Sequence, residues 1–488
     1  MKINNNISAV IANKQLLRTE GRMAETMERL SSGLKINHAK DNPAGMAISN
    51  KMRAQIAGLD RASANASDGI SALNIADGSL NETTNMLQRM RELAVQAAND
   101  TNSLEEKEAI QKEMDALKSE ITRISRDTEY NTLPLLDGSL DTRIYAEHAS
   151  RIQVSDFVKP GEYVVKIDQA ATKADAGATA GVDYSDITTQ IGTEGYIRFN
   201  GYEVQISAED SLASVYEKMR AGAELGEMDA TLDTATGNVS FTSAGYGSDA
   251  AAEIVCSDAA LATALGLANY TEKADGTCVI DSERGADAVI SMPIGDYTLA
   301  DGSTVNSRFT DTATYQTDGN KITITDKDGF SLSFLAEADY PDPTKGEDGV
   351  ITFEVTDIGT MTLHIGSNED QNIEVRIPDI SAESLYVDDI DVRTIHGAGN
   401  AITKIDAAIA QVSEARSKIG AYTNRLEYSV SGLDAFEENT TAALSRLADA
   451  DMAEEMTEYT QQMVLDQSAI SVLTQANEMP QQVLQLLS

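Results

Sequence analysis

The residues best suited to acid–base chemistry or metal binding near neutral pH are the histidines, His38, His148, His364 and His396. None of them lies in an H-E-x-x-H pattern, and none is at metal-ligand spacing from a pair of cysteines. The sequence therefore predicts no catalytic site, no metal and no cofactor, which argues against an enzyme.

Two further groups of reactive residues lie in the middle of the chain. Cys256 and Cys278 are too few for a disulfide framework, and they leave two possibilities open: one disulfide or two unpaired thiols. The acidic run Asp326–Gly329 (DKDG) begins like a calcium-binding loop. Predicted strands flank this run instead of helices, so a hairpin turn is the favoured interpretation.

Charge and composition exclude further classes of function. The 488 residues carry a formal net charge of -40, so nucleic acids and anionic membrane surfaces repel the chain. No apolar run approaches the length of a membrane span. Residues 1–17 lack the basic region and continuous apolar stretch of a cleavable signal peptide, so we expect export, if it occurs, to use another route.

Both ends of the chain predict long helices. Mostly apolar residues recur in alternating steps of three and four, as in a coiled-coil seam, at Leu73, Ala76, Leu80, Thr83, Leu87, Met90, Ala94 and Ala97. After a turn with capping-box spacing at Ser103 and Glu106, the pattern continues at Ile110, Met114, Leu117, Ile121 and Ile124. It returns near the C-terminus at Ile402, Ile405, Ile409, Val412, Arg416, Ile419, Thr423, Leu426, Val430 and Leu433.

Narrow stripes of this kind need partners, so the helices of the two ends are expected to pack together. The middle of the chain shows alternating patterns instead, with hairpins predicted at 196–206, around Asn200-Gly201, and at 321–334. A short helix is predicted from Ser211 to Met219. The predicted fold class is α+β: an elongated, antiparallel, coiled-coil-like helical rod from both chain ends, with a central, mostly-β insertion.

The outermost segments differ from the regular repeats. The phase of the apolar residues slips within 1–42, and Pro480 is expected to interrupt the last helix. We predict that these ends are disordered in an isolated chain and fold among neighbouring copies. The residues expected to make the assembly contacts are Ile3, Ile7, Val10, Met456, Tyr459, Met463, Ile470, Leu473, Leu484 and Leu487.

Several long motifs at both ends resemble those of bacterial flagellins. Near the N-terminus they are LSSGLKIN at 30–37, AKDNPAGMAISN at 39–50, NASDGI at 65–70 and LQRMRELAVQAA at 87–98. Near the C-terminus they are SKIGAYTNRLE at 417–427 and DMAEEM at 451–456. The resemblance covers 1–140 and about 358–488.

The resemblance implies five segments: an N-terminal filament-core helix at 1–42, N-terminal rod helices at 43–140, a variable and mainly β surface insertion at 141–357, a β segment and C-terminal rod helix at 358–445, and a C-terminal filament-core helix at 446–488. It implies a subunit of the extracellular flagellar filament that serves motility and is exported unfolded through the flagellar secretion channel. The implied partners are other copies of the chain, an export chaperone docking on 426–487, the filament cap and hook-associated junction proteins.

The resemblance also implies a site for the flagellin-sensing Toll-like receptor of animal hosts, formed by Arg89, Leu93 and Glu113. Arg89 and Leu93 are one helical turn apart and share a face, and Glu113 lies on the next helix, which can fold back beside them. The alternative is that Leu93 packs the helical bundle.

Two other functions fit parts of the sequence. A hook–filament junction protein would share the rod ends, although the long signatures at both ends and the chain length favour a filament subunit. A secreted coiled-coil adhesin, with the middle of the chain as its binding module, would need a secretion signal or an anchor, and we find neither.

Overall fold

The computed structural model describes residues 6–487 except 100, 156, 187, 268–269, 274–275, 281, 299–303, 339, 342–347 and 357, and for 480–487 it describes the helical backbone alone. The helices of this part are α1 (Ile7–Ser32), α2 (Pro43–Ala97), α3 (Leu104–Asp127), α4 (Leu212–Leu225), α5 (Ala259–Ala264), α6 (Ile395–Ala448) and α7 (Met452–Leu487).

The strands lie between α3 and α6. They are β1 (Glu129–Tyr130), β2 (Leu133–Pro134), β3 (Ile144–Tyr145), β4 (Ala149–Val154), β5 (Gly161–Gln169), β6 (Lys173–Ala178), β7 (Gly195–Phe199), β8 (Tyr202–Ile206), β9 (Met228–Leu232), β10 (Val239–Tyr246), β11 (Ile254–Cys256), β12 (Tyr270–Glu272), β13 (Cys278–Ile280), β14 (Val289–Ser291), β15 (Gly295–Thr298), β16 (Thr304–Ser307), β17 (Thr314–Asp318), β18 (Lys321–Thr325), β19 (Ser331–Ala336), β20 (Val350–Val355), β21 (Met361–His364) and β22 (Asn372–Val375). Long helices at both ends and a strand-rich centre confirm the predicted α+β class.

The chain forms two compact units. The first contains Met1–Ile70, Leu363–Ile373 and Asn424–Ser488, and the second contains Ser71–Thr362 and Glu374–Thr423. No helix in the described part of the chain is both long enough and apolar enough to span a membrane. The five-segment division drawn from the sequence stays a prediction.

In the second unit, α2 buries the predicted repeat. All of its members are buried, and we call this set the apolar seam: Leu73, Ala76, Leu80, Thr83, Leu87, Met90, Ala94 and Ala97. Asp77 of α2 pairs with Arg416 of α6 at 2.9 Å, and Arg91 pairs with Asp406 at 2.6 Å. The two helices are therefore antiparallel within this unit, as predicted.

The repeat on α6 differs from the prediction at alternate positions. The positions buried as predicted are Ile405, Val412, Ile419 and Leu426. Between 401 and 416 the alanines Ala401, Ala408 and Ala415 are also buried, each one residue before the predicted Ile402, Ile409 and Arg416, which are only partly buried. Alanine at these points lets neighbouring helices approach closely, and the larger side chains lie at the edge of the contact.

Two β-rich cores fold in the middle of the chain, both within the second unit. The first lies between the sheets β14-β5-β20-β3 and β17-β18-β19-β4, where Phe353 and Phe334 pack with ring centroids 4.6 Å apart. The second is formed by α4 with the sheets β12-β13-β11-β7-β8 and β6-β10-β9, and its Phe199 and Phe241 rings are 5.5 Å apart. Because 174–280 lies between strands of the first core, the second core is an insertion within an insertion.

The local signals in the middle of the chain predicted this structure well. β7 and β8 form the expected hairpin, with Asn200 and Gly201 in the left-handed conformation at φ 44° and 88°. The acidic run Asp326–Gly329 connects β18 to β19 and is a hairpin turn. The short helix predicted from Ser211 to Met219 is α4, which Ser211 caps and which continues to Leu225. The capping box of Ser103 and Glu106 is formed at the start of α3, as predicted.

The sequence did not predict the buried, irregular segment 376–394. Its described residues form neither helix nor strand, yet apolar side chains such as Ile380, Leu385 and Val387 are buried. A side chain of α3 forms hydrogen bonds with backbone groups of this segment. The Gln111 amide donates to the carbonyl oxygen of Ile390 at 3.0 Å and accepts from the amide of Val392 at 2.8 Å.

The predicted interruption at Pro480 is wrong, because α7 continues through it to Leu487. A proline removes one hydrogen-bond donor, but its neighbours Met479, Gln481 and Gln482 are good helix formers.

Candidate assembly and receptor-binding surfaces

Helices α1 and α7, which we call the terminal pair, pack against each other in the first unit. At one end the side-chain amide of Asn6 donates to the carbonyl oxygen of Ala476 at 2.8 Å. At the other end the guanidinium of Arg29 lies 3.2 Å from the carboxylate of Glu455. These contacts make the pair antiparallel. Helix α1 ends at Ser32 and is capped by Gly33, whose φ of 70° suits glycine best.

The fully buried residues between the helices of the terminal pair are small or polar, and half-buried leucine and methionine side chains alternate with them on α1. The fully buried residues are spaced at multiples of seven, as in a coiled coil, and we call them the polar seam: Ala12, Thr19 and Thr26 on α1, and Glu455, Gln462 and Ala476 on α7. Oε2 of Glu455 is buried without a hydrogen-bond partner among the described residues. These fully buried positions remove little apolar surface from water, so the hydrophobic stabilisation that they contribute is small.

Most of the large apolar side chains of the terminal pair are exposed instead. Among the predicted assembly residues, the exposed fraction runs from 39% to 67% at Ile7, Val10, Met456, Met463 and Ile470. Tyr459 and Leu473 are half-buried. Ile3 lies outside the described residues, and the side chains of Leu484 and Leu487 lie outside the described part of α7.

Sequence reasoning missed several members of this outward face, which include Ile11, Leu17, Val464, Leu465 and Val472. A groove of about 490 Å³ runs between the two helices and is lined by Ile11, Ala12, Leu465 and Val472, among others. The heptad spacing of the small and polar residues in the polar seam was the signal that could have identified this outward face. Once Thr19, Thr26 and Gln462 are assigned to the inside, the apolar residues are left outside.

The receptor residues inferred from the resemblance lie on α2 and α3 of the second unit. The side chains of Arg89 and Glu113 are both about half exposed and lie 2.9 Å apart. Hydrogen bonds from Arg89 to Glu113, and then to Glu92, raise the pKa of the guanidinium. Leu93 is only 2% exposed, so its side chain packs the interior, in agreement with the packing alternative. The structure thus brings two of the three residues together at the surface.

The candidate metal ligands are scattered. Among the described residues, no group of three or more His, Cys, Asp or Glu is arranged to hold a metal ion. His148 and His38 each lie 2.7 Å from one surface glutamate, Glu337 and Glu28 respectively.

Residues 3–141 match the model of the bacterial flagellin N-terminal helical region, and 402–487 match that of the bacterial flagellin C-terminal helical region. The flagellin of Clostridium tyrobutyricum is 32% identical, over 99% of this chain and 100% of that protein. This chain belongs to the bacterial flagellin family. The flagellin of Salmonella typhimurium is 31% identical to this flagellin, over 99% of each chain.

Family membership settles the class of function. Flagellins are structural proteins that polymerise into the extracellular flagellar filament, and they are not enzymes. Among solved structures, FliC from Burkholderia pseudomallei has 18% identity and a TM-score of 0.23, over 73% of this chain and 99% of that one. Flagellar hook associated protein-3 from Legionella pneumophila has 11% identity and a TM-score of 0.30, over 82% and 98%. The family assignment rests on the sequence comparisons.

Proposed function

We propose that this flagellin joins its filament through the outward apolar face of the terminal pair, and that the occupant of this face is the same face of neighbouring copies. The supporting observation is that apolar side chains of the terminal pair are exposed while polar ones are buried. Val10, Ile11 and Val472 are more than half exposed. Thr19 and Gln462 are buried. An exposed apolar surface of this extent is typical of a protein–protein interface.

The energetics favour this arrangement. Fully burying one large aliphatic side chain contributes about 2 kcal/mol, so a handful of them suffices to hold each subunit in place. The net charge of -40 opposes association at low ionic strength. Salt screens this repulsion, so polymerisation should be promoted by added salt.

The test places a charge in the centre of the proposed interface. Val10→Asp and Val472→Asp are compared with Ile294→Asp, a control whose side chain is 59% exposed in the central insertion. We expect salt-induced polymerisation, followed by sedimentation and electron microscopy, to be abolished in the first two variants and normal in the control. Circular dichroism verifies that the helices are retained. Polymerisation of Val10→Asp and Val472→Asp at the wild-type critical concentration would contradict the proposal.

The same exposed apolar face would have to be covered before assembly. We propose that the chain is exported unfolded through the flagellar secretion channel and that an export chaperone covers 426–487 beforehand. The filament cap and the hook-associated junction proteins would contact the same helical ends. A chain shortened at residue 425 should lose chaperone binding in a pull-down with the purified chaperone, whereas Val10→Asp should keep it.

We propose further that the exposed pair of Arg89 and Glu113 binds the flagellin-sensing Toll-like receptor. The two charged groups lie 2.9 Å apart on the surface, and charged groups that complement a partner contribute more to specificity and association rate than to affinity. Leu93 would act indirectly, by packing the helix that presents Arg89.

Reversal of charge separates recognition from folding. Arg89→Glu and Glu113→Arg should each weaken receptor binding at least tenfold, whereas Arg123→Glu, a control at a similarly exposed arginine of α3, should not. The double variant Arg89→Glu/Glu113→Arg restores the ion pair with reversed direction and should still bind weakly. Unchanged binding of both single variants in a surface-immobilised receptor assay would remove the proposal.

A further inference from the structure

The two cysteines of this flagellin, which are the only ones in its 488 residues, lie opposite each other in the second β-rich core. In the antiparallel ladder between β11 and β13, Cys256 is the register partner of Cys278, and Val255 is the partner of Val279. Directly opposed residues of antiparallel strands project from the same face of the sheet. Both thiols are free and fully buried in the same hydrophobic core.

We propose that Cys256 and Cys278 form an intramolecular disulfide when the chain folds in an oxidising environment outside the cell. Opposed residues in an antiparallel pair have Cα atoms about 4.5–5.5 Å apart, which lies within the range that disulfides require. The bond would link the adjacent strands β11 and β13 of the five-stranded sheet and would close the segment between them, which contains α5 and β12.

The chemistry is thiol–disulfide exchange with a small-molecule disulfide such as oxidised glutathione. The thiolate of one cysteine attacks the oxidant and releases one glutathione thiolate, and the second cysteine then displaces the other. The two cysteines lose two electrons and two protons, and one molecule of oxidised glutathione becomes two of the reduced form.

Burial decides when this exchange takes place. Burial, followed by the neighbouring Cys278, raises the pKa of the Cys256 thiol to about 12, and a buried thiol is a poor nucleophile. We therefore expect the exchange to occur during folding, after β11 and β13 have paired and before the two thiols are buried. A chain that passes through a secretion channel unfolded would carry both thiols reduced and close the bond after it emerges.

The experiment is oxidative refolding of the full chain. Reduced protein in guanidinium is diluted into a buffer with reduced and oxidised glutathione, and free thiols are then counted by a chromogenic disulfide reagent and by intact mass. We expect monomers with no free thiol, a mass lower by two hydrogens and no glutathione adduct. Their urea midpoint of unfolding should be higher than that of the reduced protein, and a strong reductant should abolish the difference.

The matched control moves one thiol by a single residue. In Cys278→Val/Val279→Cys the composition is unchanged, but the second thiol projects from the opposite face of the strand. This variant should keep two thiols or carry glutathione adducts, and circular dichroism verifies that it folds. Two remaining thiols in the wild-type protein, or equally ready disulfide formation in the control, would overturn the proposal.

Discussion

Helix α2 and the terminal pair share heptad spacing, but they bury opposite kinds of side chain at the spaced positions. In the second unit, α2 buries leucine, methionine and alanine in its apolar seam and keeps charged groups such as Asp77 and Arg91 outside. In the first unit, the terminal pair buries threonine, glutamine and glutamate and leaves isoleucine, valine and methionine exposed. Heptad spacing alone therefore does not reveal which face is the inner one.

The two seams differ in the free energy that they contribute to the fold of a single subunit. An apolar seam stabilises a subunit by itself, because its burial is complete in the single chain. The polar seam holds α1 and α7 in register but contributes little free energy, so these helices should open easily in an isolated subunit. We expect the missing stabilisation to come from neighbouring copies, which would couple folding of the ends to assembly.

The largest expected effect comes from damage to the apolar seam. Leu87→Ala should lower the free energy of unfolding by about 3 kcal/mol, because it removes a fully buried side chain and leaves a cavity. The control is Val95→Ala on the same helix, where the side chain is 49% exposed and the change should stay within about 0.5 kcal/mol. Urea unfolding of the monomer measures both, and equal losses would contradict the assignment of the seam.

The second prediction converts the polar seam towards an apolar one. Gln462→Leu replaces a buried polar group with an apolar one and should stabilise the terminal pair by about 1 kcal/mol. Amide hydrogen exchange in α1 should then be about fivefold slower in the monomer. Gln461→Leu changes the exposed neighbour and should leave these rates unchanged. Faster exchange in Gln462→Leu would indicate that the polar seam is itself the source of stability.

The smallest effect concerns a local cap in the second unit. Ser103→Ala removes the side chain that accepts from the amide of Glu106 and should cost about 1 kcal/mol at most. Ser119→Ala, at an exposed position inside α3, is the control and should be neutral or slightly stabilising. A loss from Ser103→Ala as large as that from Leu87→Ala would mean that caps, not the seam, decide the stability of this region.

The sequence predicted those parts of the fold that depend on local signals. The seam from Leu73 to Ala97, the Asn200-Gly201 turn and the capping box all follow from spacing over a few residues. It failed where the outcome depends on distant partners. The irregular segment 376–394 takes its backbone hydrogen bonds at Ile390 and Val392 from Gln111, which is far away in the chain.

The choice of helix face on α6 shows the same limit. Ile402 and Ala401 are equally good candidates for a seam when only periodicity is considered, and the structure buries the alanine. Of the candidate sites, the pairing of Arg89 with Glu113 followed from the resemblance, whereas the opposition of Cys256 and Cys278 depends on strand register, which spacing does not fix.

Hydrogen–deuterium exchange of dilute monomer and of assembled filament tests the central difference most directly. We predict that amides of Ile7–Ser32 and Met452–Leu487 exchange rapidly in the monomer and become strongly protected in the filament. Amides around the apolar seam, from Leu73 to Ala97, should be protected in both states. Equal protection of Ile7–Ser32 in monomer and filament would contradict the conclusion that neighbouring copies complete the fold of the terminal pair.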